Sequence, residues 1–190
     1  TQIYDPPASD GSGNIRSNLR MALKILKGAD YKIKENKAIS PRTGDAVKFE
    51  ILLVSPAFER IATPFVKNLS RLGIEANIRT VDQSQYINRV RSFDFDMIVS
   101  TFGQSESPGN EQRDYWSSAA AERAGGRNVI GIKDPAIDAL IENVVNAKNR
   151  KSLIHATRAL DRVLLWSHFV VPQWHVPVSY THLRAHETSI

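Results

Sequence analysis

Apolar residues recur along this chain at two periods, and the switches between them divide it into elements. Ile15, Leu19, Ala22, Leu23 and Leu26 follow the spacing of one helix face, with Asn14 placed to cap it and Gly28 to end it. "YKIKENKAIS" (Tyr31 to Ser40) alternates about Glu35-Asn36-Lys37 and predicts a small hairpin. "VKFEILLV" (Val47 to Val54) is an apolar run of strand length, and Ser55-Pro56 then supplies a cap followed by proline at the first helical position. Phe58, Ile61, Ala62, Phe65, Leu69 and Leu72 form the stripe of the next helix, which Gly73 terminates. Pro64 inside that stripe removes a backbone donor, so a kink or a late helix start is expected. "IEANIRTV" (Ile74 to Val81) reads as a strand, Asp82 with Gln85 opens a short helix through Val90, and "FDMIVSTF" (Phe95 to Phe102) reads as another buried strand.

The order β-α-β-α-β predicts an α/β fold with parallel pairing and right-handed crossovers. Residues 103 to 131 carry Gly, Ser, Pro, Asn and Arg without clear period, and so long an irregular stretch is more often functional than idle. Two additional C-terminal helices follow. Asp134-Pro135 starts one, with Ile137, Leu140, Ile141 and Val144 inward; the other carries Leu153, Ala156, Leu160, Val163 and Leu164. "FVVPQW" (Phe169 to Trp174) reads as a last strand, and residues 1 to 14 as an extended lead-in.

Composition narrows the classes. The 190 residues contain no cysteine, which excludes a disulfide scaffold, a thiolate zinc site and a thiol nucleophile. At 42% apolar residues the chain reads as globular, and no apolar run is long enough to span a membrane. The net charge of +5 is spread over helix faces such as Arg16, Arg20, Lys24 and Lys27, without the block expected of a nucleic-acid arm. The chain starts without Met or a signal peptide, as a fragment of a longer protein would.

Catalytic signatures are absent: no nucleophile elbow, P-loop, dinucleotide fingerprint or zincin motif occurs. Asp94 and Asp96 flank a strand start, where carboxylates are usually solvated turn residues. Binding is better supported, because ligands of open α/β sheets collect beyond the carboxyl ends of the strands. The strand ending at Phe102 runs into "FGQSESPGNEQRDYW". After Gly103, that loop offers amides and hydroxyls (Gln104, Ser105, Ser107, Asn110), charges (Glu106, Arg113) and rings (Tyr115, Trp116). These are the ingredients of a peptide-sized pocket, to which Trp174 is a further candidate contributor. The plainer reading is that Tyr115 and Trp116 anchor the loop to the core. A flavodoxin-like catalytic or regulatory domain, and an interaction module using the basic helix faces, are the competing classes.

"LGIEANIRTVDQSQYINRVRSFDFDMIVSTFGQSESPGNEQRDYW" (Leu72 to Trp116) resembles the second lobe of the extracellular solute-binding proteins, family 5, of peptide ABC transporters. "IKDPAIDALIENV", "ALDRVLLW" and "VVPQW" continue the pattern in order. "DGSGNIRSNLRMALKILKGADY" and "SPGNEQRDYW" are similar to the subgroup serving oligopeptide and microcin C uptake. The resemblance spans about residues 1 to 177 and implies most of one α/β lobe of a two-lobed periplasmic receptor. Such a receptor is monomeric, closes on an oligopeptide or modified peptide, docks on a membrane permease, and uses no cofactor and no catalysis. Receptors of this kind place an aspartate where Ser105 stands here, with Glu106 next to it, and an arginine where Val99 stands. The usual anchor for a peptide's terminal charges is therefore altered.

The pattern stops near Pro177. His175, His182 and His186 with Glu187 have the look of a metal site, but "VSYTHLRAHET" (Val178 to Thr188) resembles a translated sequencing adapter over all eleven residues. Residues 178 to 190 are therefore expected to be an artefactual tail with no bound metal.

Overall fold

A computed structural model describes residues 7–8, 11–105 and 107–172. The first helix, α1 (Arg16–Gly28), carries the predicted apolar stripe, yet none of its residues is buried. Asn14 does not cap it. Ile15 holds the N-cap position without a side-chain bond, and Gly28 is the last helical residue. The left-handed turn that a terminal glycine would take falls instead to Asp30, at φ 63°. The predicted hairpin forms from β1 (Lys32–Lys34) and β2 (Lys37–Ile39), antiparallel, with Lys34 opposite Lys37. Its two linking residues, Glu35 and Asn36, both have positive φ, as a tight hairpin turn requires.

The α/β layer is a three-stranded parallel sheet of β3 (Lys48–Leu53), β4 (Glu75–Thr80) and β5 (Met97–Ile98), in the order β4-β3-β5. After β3, Ser55 accepts a hydrogen bond from Ala57 N–H and Pro56 opens a 3-10 turn that runs into α2 (Glu59–Ser70). Pro64 lies within α2, past its first turn, so the helix does not start late at that proline as one of the two expectations had it. Between β4 and β5, α3 (Gln83–Arg91) is capped by Asp82, whose carboxylate accepts from Gln85 N–H. Ile51 and Leu53 of β3 pack with Ala62, Phe65 and Val66 of α2. The opposite face of the sheet meets α3, where Arg89 holds Glu50 at 2.8 Å and Asp94 at 2.9 Å.

β5 is much shorter than the eight-residue strand expected. It pairs only Met97 with Ile51 and Ile98 with Leu52, and the next carbonyl, Val99 O, is taken by the Tyr86 hydroxyl at 3.3 Å. Residues 103 to 131 are also more ordered than predicted, because they contain α4 (Glu111–Trp116) and α5 (Ser118–Ala121). Ser117 caps α5 through Ala120 N–H. A second core then forms where α4 meets α6 (Pro135–Val145) and α7 (Arg150–Trp166), around Trp116, Ile137, Ile141, Val144 and Leu160. Asp134 and Asn149 cap these two helices, the latter in a reciprocal capping box with Ser152. Phe169 to Pro172 form no strand, contrary to expectation; having left α7 through His168 at φ 53°, their apolar side chains stay largely exposed. Residues 173 to 190, with Trp174, the histidine group and the adapter-like stretch, lie outside the described residues.

Gly73 joins hairpin to sheet. Its φ is +79°, Ala38 N–H donates to its carbonyl at 2.7 Å, and a Cβ built on it would lie 2.7 Å from Ala38 N. Gly44 has nearly the same φ, +77°, but open space around it. Gly73→Ala is therefore expected to destabilise the protein by more than about 2 kcal/mol, and Gly44→Ala by about 1 kcal/mol, in denaturant titrations. The difference isolates the backbone contact from the dihedral strain. Ile141→Ala, at a fully buried site, is expected to cost about 2–5 kcal/mol, against less than about 1 kcal/mol for Ile25→Ala on the exposed face of α1.

Candidate functional site

The strand order decides where a ligand can sit. β3 is central; its crossover through α2 leads to β4 on one side, and the crossover through α3 returns to β5 on the other. The two loops leaving β3 and β5 therefore diverge, and a crevice opens at the carboxyl ends of these strands. A groove of 630 Å³ runs along β5 on its α2 side and reaches that end, lined from Phe93 and Phe95 before the strand to Ser100 and Phe102 beyond it. Phe58, Ile61 and Phe65 form one side, Met97 to Ser100 and Phe102 the floor, and Phe169 to Val171 the far rim. Its polar contributions come from Asn68, Asp96, Ser100 and His168. Asp96 is partly committed, because its carboxylate accepts from Glu50 N–H at 2.8 Å. Asp94 and Asp96 are both exposed, as expected of turn carboxylates, and each also holds a neighbour: Asp94 pairs with Arg89 and Asp96 accepts from β3.

Of the residues singled out from the sequence, Phe102 lines this groove. It also reaches the other core. Its ring lies 4.7 Å from the Trp116 ring and 5.6 Å, edge-on, from the Tyr115 ring. Trp116 and Tyr115 are only 7% and 8% exposed, so both rings anchor the strand exit to the helical core. The Trp116 indole N–H donates to Gln112 Oε1 at 3.1 Å, and Gln112 Nε2 donates to Gln104 Oε1 at 2.7 Å. Arg127 lies over the Tyr115 ring and donates to its hydroxyl at 3.3 Å. Gly103 is open: a Cβ there would meet only the Tyr115 hydroxyl, at 3.6 Å. Ser105 Oγ accepts from Ser107 N–H at 3.3 Å. Glu106 and Trp174 lie outside the described residues.

The charged candidate Arg113 is engaged elsewhere. It grips Glu142 of α6 through two nitrogens, at 2.7 and 2.6 Å, and also bonds Asn110. Hydrogen bonding to Arg113 holds the Glu142 carboxyl below its ordinary range, and the guanidinium is raised in return. Glu111 is also lowered. Burial alone would raise it, but hydrogen bonds from Gly109 N–H, from its own N–H and from the Gln112 amide outweigh that cost. Burial raises the Tyr86 hydroxyl, which donates to Val99 O.

Gln112 and Asn128 escaped the sequence reading. Gln112 stands one helical turn before Trp116, a spacing that would have stood out had residues 111 to 116 been recognised as helix. Asn128 is buried and uses both ends of its amide, donating to Ser117 O and Ile132 O and accepting from the N–H groups of Gly131 and Ile132. That lock closes the loop behind α4. Among the described residues no cluster of histidine and carboxylate side chains could hold a metal ion, and no helix is long and apolar enough to cross a membrane.

An open parallel sheet with an apolar groove at its switch point, flanked by amides and rings, is the arrangement of a ligand-binding lobe. Known proteins agree. A family model described as bacterial extracellular solute-binding proteins, family 5, middle region, matches residues 1–123, and the chain belongs to that family. It is 51% identical over 175 residues to protein y4wM of Sinorhizobium fredii, covering 92% of this chain and 26% of that one. It is 47% identical over 175 residues to "Probable peptide-binding protein YejA" of Agrobacterium fabrum, covering 92% and 28%. Among solved structures, a periplasmic oligopeptide-binding protein of Thermotoga maritima bound to mannohexaose superposes with a TM-score of 0.70 at 20% identity, covering 82% of this chain and 30% of that one. The chain thus spans about a quarter to a third of the proteins it resembles; the family is one of solute-binding proteins, and the Agrobacterium and Thermotoga proteins are named as binding proteins.

The Arg113–Glu142 pair gives a pH signature with a definite sign. A carboxyl depressed in the folded state adds stability above its unfolded pKa, about 4.3, and loses it as pH falls through the folded value. Glu142→Gln is expected to be less stable than the parent at neutral pH. The difference should shrink towards zero in acid, as followed by thermal unfolding from about pH 7 down to pH 3.

Proposed function

We propose that this chain supplies most of one lobe, residues 1 to 177, of the substrate-binding component of an ABC transporter that imports oligopeptides or peptide-like compounds. The observation that carries the reading is the groove at the switch point, apolar along its floor and sides, with the Gln104 amide and the Tyr115 hydroxyl at the strand exit beside it. Extended peptides present alternating side chains and backbone amides, and such a wall offers apolar surface to the former and hydrogen bonds to the latter. The 47% identity to a protein named as peptide-binding supports the ligand class.

In this reading the receptor is a monomer that works in the periplasm or anchored outside the membrane. A second lobe closes over the groove, and the closed form presents a joined face to the permease. Phe102, Gly103, Gln104, Ser105, Glu106, Asn110, Arg113, Tyr115, Trp116 and Trp174 remain the residues proposed to form or support the ligand wall. Asn110, Arg113, Tyr115 and Trp116 do so by fixing the helix behind it. The groups found at the groove favour binding over a catalytic α/β domain, because the most strongly paired charges, Arg113 and Glu142, hold α4 to α6.

One lobe gives half of a pocket. Isothermal calorimetry with a random tetrapeptide library is expected to show this chain binding at least about 100-fold more weakly than the full-length receptor. Micromolar affinity for the chain alone would overturn the half-pocket account. A full-length receptor that takes up no peptide at all would overturn the ligand class.

A further inference from the structure

The hydrogen bonds behind the strand exit have a fixed polarity, and it propagates outward. An indole N–H can only donate. Trp116 Nε1 is buried and its partner is Gln112 Oε1 at 3.1 Å, so the oxygen end of the Gln112 amide must face the indole. Its NH2 end then faces the other way. Two acceptors meet it there: the Glu111 carboxylate at 3.3 Å and Gln104 Oε1 at 2.7 Å. Gln112 is only 5% exposed, so turning its amide over would set oxygen against oxygen on one side and strand the indole hydrogen on the other. The amide of Gln104 is oriented in turn. With its oxygen engaged by Gln112, its own NH2 is left without a partner among the described residues, on an exposed side chain beside Gly103.

The same logic applies on the far side of Gly103. A guanidinium cannot accept a hydrogen bond, so the Tyr115 oxygen accepts from Arg127 and its hydrogen is free to be given away. That hydroxyl lies 3.6 Å from where a Gly103 side chain would begin. Gly103 has no backbone need to be glycine, since its φ lies outside the left-handed region and nothing else stands within 4 Å of an added Cβ. The exposed Gln104 amide and the hydroxyl of the largely buried Tyr115 thus both adjoin the bare backbone of Gly103.

We infer that Gln112 is a positioning residue that turns the Gln104 amide so its NH2, together with the Tyr115 hydroxyl, receives an acceptor oxygen of the ligand over Gly103. This deepens the peptide-receptor reading and rests on it. The oxygen is either a backbone carbonyl or the terminal carboxylate of a peptide; the two share the same acceptor chemistry. The usual ammonium partner is missing at Ser105, and a donor-rich exit suits the acceptor groups of a peptide in its place.

The test uses the full-length receptor and a random tetrapeptide library, as free acids and as C-terminal amides, by calorimetry alongside thermal unfolding. Gln104→Glu changes an exposed residue. The Gln112 NH2 still has an oxygen to meet, so the melting temperature is expected to hold or rise, while an outward carboxylate oxygen repels the ligand's oxygen and weakens binding at least about tenfold. A clear fall in melting temperature would mean that Gln112 presents its oxygen to position 104, and would overturn the relay. Gln112→Glu, measured at about pH 8.5 so that the new carboxyl is ionised, forces Gln104 to donate inward and turn its oxygen out; because it also sets a carboxylate against Glu111, its binding is read at a temperature where thermal unfolding shows the variant folded. Binding should again fall at least about tenfold. Equal losses for acids and amides assign the site to a backbone carbonyl; a larger loss for the acids assigns it to the terminal carboxylate. Binding by either variant within twofold of the parent, with the parent itself binding, would sink the relay and leave the receptor reading standing. Should the parent bind neither library, the receptor reading itself falls.

Discussion

The contact of Phe102 with the ring of Trp116, at 4.7 Å, is the joint on which the rest of this chain turns. Two cores lie on either side of it. Met97 packs with Ile51, Leu53 and the α2 side chains; five residues later Phe102 packs with Tyr115, Trp116 and the helices beyond. The short segment between them must leave the sheet, cross from one core to the other and present its backbone to the groove. It keeps one course because both ends are buried in different clusters. Aromatic rings suit this task, since they bury a large apolar area with few rotatable bonds and leave a polar tip for other uses. Trp116 spends that tip on Gln112, and Tyr115 on Arg127.

Charge plays a different part. The ion pairs of Arg89 with Glu50 and Asp94 fasten α3 to the sheet, and that of Arg113 with Glu142 fastens α4 to α6. Each links two secondary-structure elements or an element to its adjoining turn; the groove itself is lined chiefly by neutral groups. Exposed pairs of this kind contribute little stability, but a bidentate guanidinium fixes direction well. The result is a division of labour in which charges set the spacing of elements and mostly neutral side chains line the groove.

Much of the architecture was legible from the pattern of apolar positions. The hairpin, β3, α2, β4, α3 and the last two helices all follow from period, caps and turn residues, as with Asp82 on Gln85 and Asn149 with Ser152. The misreadings have physical causes. Phe95 to Phe102 has strand composition throughout, but the Tyr86 hydroxyl claims the Val99 carbonyl just past Ile98, a tertiary contact invisible in a linear reading. Residues 111 to 121 are rich in polar and small side chains, and their helices are stabilised by burial against α6 and by the Ser117 cap instead of by an apolar stripe. The candidate residues Phe102, Gln104, Tyr115 and Trp116 do assemble, because they lie close in sequence at one strand end. Gln112 was overlooked because its importance lies in orientation, which composition does not encode. Arg113 drew notice for its charge, and that charge is neutralised by a glutamate 29 positions away.

The strand exit is pinned to one core at Met97 and to the other at Phe102, and just beyond Phe102 Gly103 keeps a passage of bare main chain open. Residues at this place can therefore be exchanged during descent with little penalty to folding. Substitutions at the few positions after Phe102 therefore change the surface beside the groove while the packing of the surrounding scaffold is left as it is.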